Sequence, residues 1–453
     1  MRQIPVMHVR QGSFRKTGLW NLTPPQALIF SFIGLSLIGM LLLHIPYAVQ
    51  KPITWMEALF TAVSASTVTG LVVVDTGTQF TVFGQCVLLL LMQLGGLGLM
   101  TFGVVIIHLS RGTFSMGHRM VVAEALNQPG QADMMQMLRW LIAFTIIMEL
   151  LGTLLLAIQW VPEMGWSHGL YFSFFHAISA FNNAGFGLAA DSLMGYVGSP
   201  LVNIVITGLF ITGGIGFIVV ADIYNKRRFR DLSVHSKLML VGSVVLNLVA
   251  MLILLALEYG NPDTLANLPL ADKLWAAWFQ AVTPRTAGFN SLDIGALMPA
   301  SAFFIMGMMF IGGGSGSTAS GIKLSTFIVL LLATRSIFLR REHPVCFGRS
   351  IGTSTLVKAL AITVASWLTV ITATFLLMLT ESIGFPDLAF EAVSAFGTVG
   401  LSRGITADLS PLGQGIIMIL MLIGRVGPLT LAFMLTRSHD HRIEYPDGQV
   451  NVG

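Results

Sequence analysis

Eight apolar stretches separated by polar segments dominate the sequence. They lie near residues 26–46, 81–109, 137–160, 201–224, 237–257, 299–339, 357–380 and 413–436. A helix needs about 20 predominantly apolar residues to cross a bilayer, and most of these stretches reach that length. The pattern therefore predicts eight membrane crossings. The stretch at 299–339 is too long for one uninterrupted crossing.

The eight long stretches form four successive pairs, and a shorter apolar segment lies between the two members of each pair. These four segments are Glu57–Ser66, Tyr171–Phe181, Trp275–Thr283 and Leu388–Phe396. Because a helix rises only about 1.5 Å per residue, about ten residues cannot cross a bilayer. We interpret these segments as half-helices that enter from the outer face and turn back. Three of them carry a β-branched residue followed by Ser-Ala: Val63-Ser64-Ala65, Ile178-Ser179-Ala180 and Val393-Ser394-Ala395.

A four-residue turn that ends in glycine follows each half-helix. Turns 1 to 4 are Thr67-Val68-Thr69-Gly70, Asn182-Asn183-Ala184-Gly185, Arg285-Thr286-Ala287-Gly288 and Gly397-Thr398-Val399-Gly400. A glycine cluster begins 25, 28, 24 and 24 residues after each turn glycine, at Gly95, Gly213, Gly312 and Gly424. The turn glycines and the glycine clusters recur with the same spacing along the chain, which predicts a fourfold internal repeat. The glycine clusters at 95–98 and 213–216 either support the turns or allow close helix packing, and packing is favoured.

The predicted fold is an all-α integral membrane protein. It has four tandem membrane–pore–membrane repeats, with eight transmembrane helices and four re-entrant half-helices around one pseudo-fourfold pore. The predicted repeats span residues 26–110, 137–225, 236–340 and 356–436. Segment 1–25 precedes them and a tail, 437–453, follows.

Composition and charge agree with this interpretation. The chain is 54% hydrophobic and 10% charged, whereas soluble domains average about 25% charged residues. Of the 25 Lys and Arg residues, 19 lie in the N-terminal segment, the loops after the second, fourth and sixth stretches, and the tail. The positive-inside rule makes that face cytoplasmic, with both termini on it. The net charge of +4 does not favour a nucleic-acid partner, and two cysteines provide no disulfide framework.

The four turns predict a site for a cation. Irregular backbone at membrane depth must be covered by protein or must line water. Four turns that meet on one axis would point carbonyl oxygens inward, and such a ring can replace the hydration shell of potassium. The C-terminal ends of the half-helices add partial negative charge. We therefore predict that turns 1 to 4 form a potassium selectivity filter.

An aspartate follows each turn, at Asp75, Asp191, Asp293 and Asp408. These carboxylates predict an acidic outer vestibule that concentrates cations. Ordinary polar loops are an equal alternative.

Glycine and hydroxyl residues interrupt the sixth stretch. This interruption loop, Gly312–Gly321, consists of Gly312, Gly313, Gly314, Ser315, Gly316, Ser317, Thr318, Ala319, Ser320 and Gly321. Each glycine destabilises a helix by about 1 kcal/mol relative to alanine, and the hydroxyls compete for backbone hydrogen bonds. The sequence predicts a broken helix here. The Gly-x-Gly pattern is not a nucleotide site, because no strand–turn–helix unit surrounds it.

Arg425 lies midway along the last stretch, at the repeat position of Gly96, Gly214 and Gly313. A charge at the bilayer centre costs about 2.5–3.5 kcal/mol on insertion scales, so a polar role is expected. Arg425 either faces the pore as a barrier to cations or links to carbonyls of the interruption loop. Lys323 is a candidate anchor for that loop, and Asp222 with Lys226 is expected to form a helix ion pair.

The four turns, the Gly312–Gly321 stretch and Gly424-Arg425-Val426-Gly427-Pro428-Leu429-Thr430 together resemble the Trk/Ktr/HKT superfamily of potassium transporters, in particular its KtrB-type membrane subunits. The resemblance covers about residues 26–436. It implies a homodimer in the cytoplasmic membrane with one pore per chain, potassium uptake promoted by sodium, and a cytosolic KtrA-like ring of nucleotide-binding subunits. It implies that Gly312–Ser320 and Arg425 form the gate, and that any nucleotide binds only the partner.

No turn reads Thr-Val-Gly-Tyr-Gly, as in tetrameric potassium channels, which puts strict exclusion of sodium in question. Some plant relatives that pass sodium have serine at the first turn, and Gly70 here favours potassium. Alternatives are a transporter of ammonium or another small cation, and a membrane enzyme. The enzyme is disfavoured because no His-Glu-x-x-His motif or Ser/His/Asp grouping is present. The loops 110–136 and 340–356 are expected to lie on the membrane surface, to contact the ring, or to be solvated basic loops.

Overall fold

The computed structural model describes residues 24–109, 134–341, 343–428 and 430. Repeat 1 contains α1 (Pro24–His44), α2 (Trp55–Thr67), the one-turn α3 (Thr76–Gln79) and α4 (Val82–Leu109). Repeat 2 contains α5 (Met134–Met164), α6 (Trp166–Phe181), α7 (Pro200–Gly214) and α8 (Phe217–Lys226). Repeat 3 contains α9 (Val234–Glu258), α10 (Leu270–Val282), α11 (Pro299–Phe310) and α12 (Leu324–Phe338). Repeat 4 contains α13 (Thr353–Thr380), α14 (Phe385–Gly397) and α15 (Pro411–Val426).

The first helix of each repeat is long and apolar. These four helices, α1, α5, α9 and α13, are each long and apolar enough to cross a membrane. Only about a third of the most apolar part of each is buried inside the protein. Large apolar side chains such as Leu154, Leu252 and Leu379 point outward. A surface of this kind needs lipid around it, so the chain is a multi-pass membrane protein.

An inner helix follows each half-helix and its loop, and the four inner helices begin with α4, α7, α11 and α15. Three of the four begin with proline. Pro200, Pro299 and Pro411 occupy the first helical turn, where a missing N–H costs nothing. Ser199 and Ser410 cap the starts of α7 and α15. These inner helices face the centre of the molecule.

The predicted half-helices are α2, α6, α10 and α14, with 13, 16, 13 and 13 residues. Each is too short to span a bilayer. The first is fixed at its start by a capping box between Thr54 and Glu57. The last turns of all four are buried, so their C-terminal ends lie inside the protein. The predicted architecture of four membrane–pore–membrane repeats is confirmed.

Glycines of the inner helices pack directly on the ends of the half-helices. A Cβ atom added to Gly95, Gly213 or Gly424 would lie 1.9, 2.0 or 1.9 Å from a backbone carbonyl oxygen, those of Ser66, Phe181 and Phe396. No side chain fits at these positions. The glycine clusters at 95–98 and 213–216 therefore serve close packing, as favoured from the sequence.

Two inner helices are broken, and only one break was predicted. The expected interruption separates α11 from α12. The fourth apolar stretch, 201–224, predicts one crossing helix, and this prediction is wrong: α7 and α8 meet at an angle of 94°. Gly216 at the break has φ of +105°, and the interruption loop packs on it, with Phe217 N donating to Gly316 O at 2.9 Å. The two breaks form together because each supplies backbone partners to the other.

The segments predicted to be cytoplasmic differ from expectation where they are described. Part of the loop 340–356 forms a hairpin of β1 (Val345–Cys346) and β2 (Arg349–Ser350), which its mixed pattern did not predict. The N-terminal segment to residue 23, most of the loop 110–136, and the tail from residue 431 lie outside the described residues.

Candidate functional site

The four turns meet in a closed ring. A Cβ atom added to any turn glycine would collide with the backbone of a neighbouring turn. The added Cβ atom would lie 2.4 Å from Ala184 O at Gly70, 2.9 Å from Gly288 Cα at Gly185, 2.5 Å from Val399 O at Gly288, and 2.3 Å from Thr69 O at Gly400. Turn 1 therefore touches turn 2, turn 2 touches turn 3, turn 3 touches turn 4, and turn 4 closes on turn 1.

All four turns share one unusual backbone conformation. The second and fourth residues of each turn have positive φ, while the residues between them do not. The second residues are Val68 (φ +59°), Asn183 (+59°), Thr286 (+70°) and Thr398 (+47°). Positive φ in a β-branched residue costs about 1–3 kcal/mol and is typical of functional sites. Alternating signs of φ bring successive carbonyl groups to one side of the backbone, as a carbonyl-lined filter requires.

The Ser-Ala motif holds three of these turns in place. In turn 1, Val68 N donates to Ala65 O at 3.2 Å and Thr69 N donates to Ser64 O at 2.8 Å. Turns 2 and 4 repeat both bonds, to Ala180 and Ser179 and to Ala395 and Ser394, at 2.8–3.1 Å. The turn N–H groups are thus directed back into the half-helices, and among the described residues no hydrogen bond is donated to a turn carbonyl, so these oxygens can accept a ligand.

Turn 3, whose half-helix lacks the motif, is attached through a different set of backbone bonds. Arg285 N donates to Val282 O at 3.2 Å, and Ala287 N donates to Thr283 O at 3.0 Å. The glycine contacts and signs of φ are nevertheless the same as in the other turns. The ring is built from one backbone shape with two kinds of support.

The first residue of each turn does not repeat, and in turns 2 and 3 its side chain reaches helices outside the ring. Thr67 Oγ1 donates to Val63 O at 2.7 Å. Asn182 Nδ2 donates to Gln93 and to Glu149 of α5, at 2.8 and 3.0 Å. Arg285 donates to Ser243 of α9 at 3.3 Å, and Gly397 packs against Met309 O. Position one therefore anchors the ring, and the partners Glu149 and Ser243 were not foreseen because they are distant in sequence.

The interruption loop contacts two turns of the ring. Its ends are joined, because Gly312 N donates to Ile322 O at 2.8 Å and Leu324 N donates to Gly313 O at 3.0 Å. Between them, Thr318 Oγ1 donates to Asn183 Oδ1 of turn 2 at 3.1 Å. A Cβ atom on Gly321 would lie 3.6 Å from Gly397 Cα of turn 4. Turns 2 and 4 are opposite each other in the ring, so the loop reaches both sides of it.

The loop is buried and is held by its own side chains. Ser315, Ser317, Thr318, Ala319 and Ser320 are all buried. Ser317 Oγ donates to Gly314 O at 2.8 Å. The predicted anchor Lys323 donates to Ala319 O at 2.7 Å.

Both terminal nitrogens of the Arg425 guanidinium donate hydrogen bonds, mostly to backbone carbonyls. They donate to Thr318 O, to Ser320 Oγ at 3.1 Å, and to the carbonyls of Gly95 and Gly96, the latter at 2.9 Å. The side chain is only 2% exposed. Of the two roles considered for Arg425, the geometry favours the link to the loop, because one guanidinium joins α15, α4 and the loop.

The four aspartates lie in the loops predicted to be outer, between each half-helix and the next long apolar stretch, and the described contacts do not join any two of them. Asp75 caps α3 by accepting from Thr78 N at 3.1 Å, and Asp293 accepts from Gly295 N at 2.8 Å. Asp191 and Asp408 are exposed. Sequence reasoning missed Arg403, which pairs with Asp387 at 2.8 Å and donates to Gly295 O at 3.5 Å. The outer loops therefore carry basic as well as acidic charge.

Outside the ring, Asp222 accepts from Lys226 at 2.7 Å, as the spacing predicted. It also accepts from Ser233 N and Ser236 Oγ at the start of α9, at 2.8 and 2.7 Å. This carboxylate fixes the connection between repeats 2 and 3.

A comparison with solved structures finds the same architecture in another protein. A solved structure titled as the potassium transporter TrkH from Vibrio parahaemolyticus superposes with a TM-score of 0.70. The match covers 93% of this chain and 87% of that one at 19% sequence identity, so it speaks to the fold alone.

Curated relatives are similar along nearly their whole length. The Ktr system potassium uptake protein B of Bacillus subtilis is 52% identical, covering 95% of this chain and 97% of the relative. Its namesake from Vibrio alginolyticus is 42% identical, covering 95% of each. The potassium/sodium uptake protein NtpJ of Enterococcus hirae is 35% identical, covering 96% and 98%.

The sequence model of the TrkH family, described as a cation transport protein, matches residues 21–444. The resemblance that the turns, the interruption loop and the Arg425 segment indicated is confirmed. Together with the ring of turns, these similarities establish that the chain belongs to the TrkH family of cation transport proteins.

Proposed function

We propose that this protein carries potassium into the cell through the ring formed by turns 1 to 4. The observation that supports this most strongly is the closed ring of four glycine turns with free carbonyls, since such carbonyls can replace the hydration shell of potassium. The relatives at 52% and 42% identity are named as potassium uptake proteins. The test is radioactive rubidium uptake into vesicles containing the purified chain, competed by potassium, sodium or methylammonium. Competition by methylammonium at the concentration of potassium would favour an ammonium transporter instead.

The interruption loop is proposed as the gate, with Arg425 as its latch. A buried loop that reaches opposite turns of the ring would obstruct ion passage, and its glycines allow it to move without breaking a regular helix. The bonds from Arg425 to Thr318 and Ser320 would hold it closed. Opening then requires the loop to leave this guanidinium.

Regulation by sodium and by a nucleotide-binding partner is part of the proposal. The names of two relatives place them in a Ktr system, and that of a third includes sodium. We therefore expect that the protein is a homodimer and that its basic face docks on a separate cytosolic assembly of nucleotide-binding subunits. Nucleotide would bind only to those partner subunits. Rubidium uptake measured with and without sodium tests the role of sodium, and uptake measured with and without the partner tests the regulation by the partner.

The proposed location is the cytoplasmic membrane with both termini inside. Most basic residues fall in the segments assigned to that face. Asp75, Asp191, Asp293 and Asp408 are proposed to raise the local cation concentration outside. Neutralising all four should weaken the apparent affinity for external potassium at low ionic strength, and unchanged affinity would exclude the vestibule role.

A further inference from the structure

The side chain of Asn183 lies between the ring and the interruption loop. Asn183 is the second residue of turn 2, where φ is +59°. Asparagine is among the residues that tolerate this backbone region, so the conformation alone could explain its presence. Yet turns 1, 3 and 4 adopt the same conformation with Val68, Thr286 and Thr398. The fold therefore does not require an amide here, and its contacts identify a second role.

Both ends of the Asn183 amide are engaged, each with a different element. Nδ2 donates to Thr286 Oγ1 in turn 3 at 3.2 Å. Oδ1 accepts from Thr318 Oγ1 in the interruption loop at 3.1 Å. All three side chains are at most 1% exposed, so water does not compete for these bonds. An amide has a donor end and an acceptor end, and a rotation that breaks one bond disturbs the other.

Space for this link is provided by a neighbouring glycine. A Cβ atom on Gly214, at the break between α7 and α8, would lie 3.2 Å from Asn183 Nδ2. The same break carries the backbone bond from Gly314 N to Gly214 O at 2.7 Å. The loop, the broken helix and the amide therefore form one packed unit.

The link continues to Arg425 on the far side of the loop. Thr318 donates its hydroxyl to Asn183, while its carbonyl accepts from the Arg425 guanidinium. In turn 4 the equivalent hydroxyl, Thr398 Oγ1, has no hydrogen-bond partner within the described residues, and Val68 of turn 1 has no polar side-chain atom. Turns 2 and 3 are thus joined to the gate by side chains at a position where turns 1 and 4 are not.

We propose that Asn183 is a positioning residue that couples the gate to the filter, so that the position of the interruption loop sets how well turns 2 and 3 discriminate between cations. This inference rests on the proposed function, because it assumes that the ring is the ion path and the loop is the gate. It goes further because the loop would influence the selectivity of the ring between cations as well as obstruct ion passage. When Thr318 moves with the loop, Asn183 loses a partner and its hold on Thr286 loosens.

The experiment removes each end of the link without changing side-chain shape. Thr318→Val removes the bond to the loop, and Thr286→Val removes the bond between turns. Uptake of radioactive rubidium and of radioactive sodium is measured in vesicles for each variant and for wild type. The expected result is a fall of roughly two- to tenfold in the rubidium-to-sodium ratio for either variant, the size of effect that one buried hydrogen bond can produce. Thr318→Ser, which keeps the hydroxyl, should restore the wild-type ratio.

Two controls separate coupling from general damage. Thr145 on α5 is a fully buried hydroxyl without a hydrogen-bond partner among the described residues, so Thr145→Val should leave the ratio unchanged. Asn183→Ala combined with Thr318→Val should alter the ratio no more than Asn183→Ala alone, because both changes break the same link. If Asn183→Ala does not fold, the pair Thr318→Val and Thr286→Val replaces it in this cycle.

The outcomes are distinct. A changed uptake rate with an unchanged rubidium-to-sodium ratio in Thr318→Val would overturn the coupling and leave the loop as a simple obstruction. Strictly additive effects of Asn183→Ala and Thr318→Val would also overturn it. Failure of the wild type to take up rubidium would instead refute the proposed function.

Discussion

Each turn glycine faces the backbone of the next turn, and glycine is needed there for two reasons. The backbone has a positive φ, and the neighbouring turn leaves no space for a Cβ atom. Gly400 has φ of +91°, and a Cβ atom there would also lie 2.3 Å from Thr69 O. Gly404, four residues later, has φ of +94° with nothing within 4 Å. The two positions share the backbone conformation and differ in crowding.

Gly400→Ala should reduce rubidium uptake by at least about tenfold, since strain and collision together exceed the free energy that corresponds to that factor. Gly404→Ala carries the conformational cost alone and should retain most uptake. Vesicle uptake normalised to the amount of folded protein measures both. Equal losses in the two variants would mean that backbone strain, and not contact within the ring, explains the need for glycine.

Arg425 offers a second test at the level of one side chain. Arg425→Ala removes the four hydrogen bonds that this side chain donates to the loop and to α4, so the loop should be released and uptake should rise. Arg425→Lys keeps the charge but loses the planar set of donors, so we expect an intermediate uptake. Lower uptake from a normally folded Arg425→Ala protein would argue against the latch.

Among the elements, the regular ones were predictable from sequence and the irregular contacts were not. Length and apolarity identified the crossings and half-helices, and repeat spacing located the turn glycines. The break between α7 and α8 escaped prediction because the glycine cluster at 213–216 resembles the one at 95–98, where α4 remains helical. The conformation of Gly216 depends on a loop about 100 residues away in the sequence. The partners of Asn182 and Arg285 are also distant in sequence. Glu149 could have been singled out by the reasoning applied to Arg425, because it is a carboxylate within an apolar stretch, whereas Ser243 resembles an ordinary residue of an apolar helix.

This paired break can be tested through stability. Gly216→Ala would place a Cβ atom 2.6 Å from Ser315 O at a positive φ, so it should destabilise the protein by about 1–3 kcal/mol. Gly208 in α7 has nothing within 4 Å, and Gly208→Ala should be neutral or stabilising because alanine favours helix by up to about 1 kcal/mol. Thermal denaturation in detergent compares the two variants. If Gly208→Ala is the more harmful change, the break is not maintained by the docked loop.

For the whole molecule, the distribution of basic residues predicts which face is cytoplasmic, and the two natural cysteines allow a direct check. Cys346 lies in the hairpin between α12 and α13, and Cys86 lies in α4. In a Cys86→Ala background, a membrane-impermeant thiol reagent should label Cys346 in inverted vesicles and not in intact cells. Partial burial raises the pKa of the Cys346 thiol, so the labelling rate should still be rising with pH above the ordinary range for cysteine. Labelling from outside intact cells would reverse the topology.

The central claim is that potassium passes through the ring of turns 1 to 4, and direct observation of an ion there tests it best. A cryo-electron microscopy or crystallographic structure in thallium or rubidium should show the ion on the ring axis, within coordinating distance of carbonyl oxygens from all four turns. Gly400→Ala protein should show a weakened or absent ion at the same place. Ion density elsewhere in an actively transporting protein, with the ring axis empty, would contradict the account.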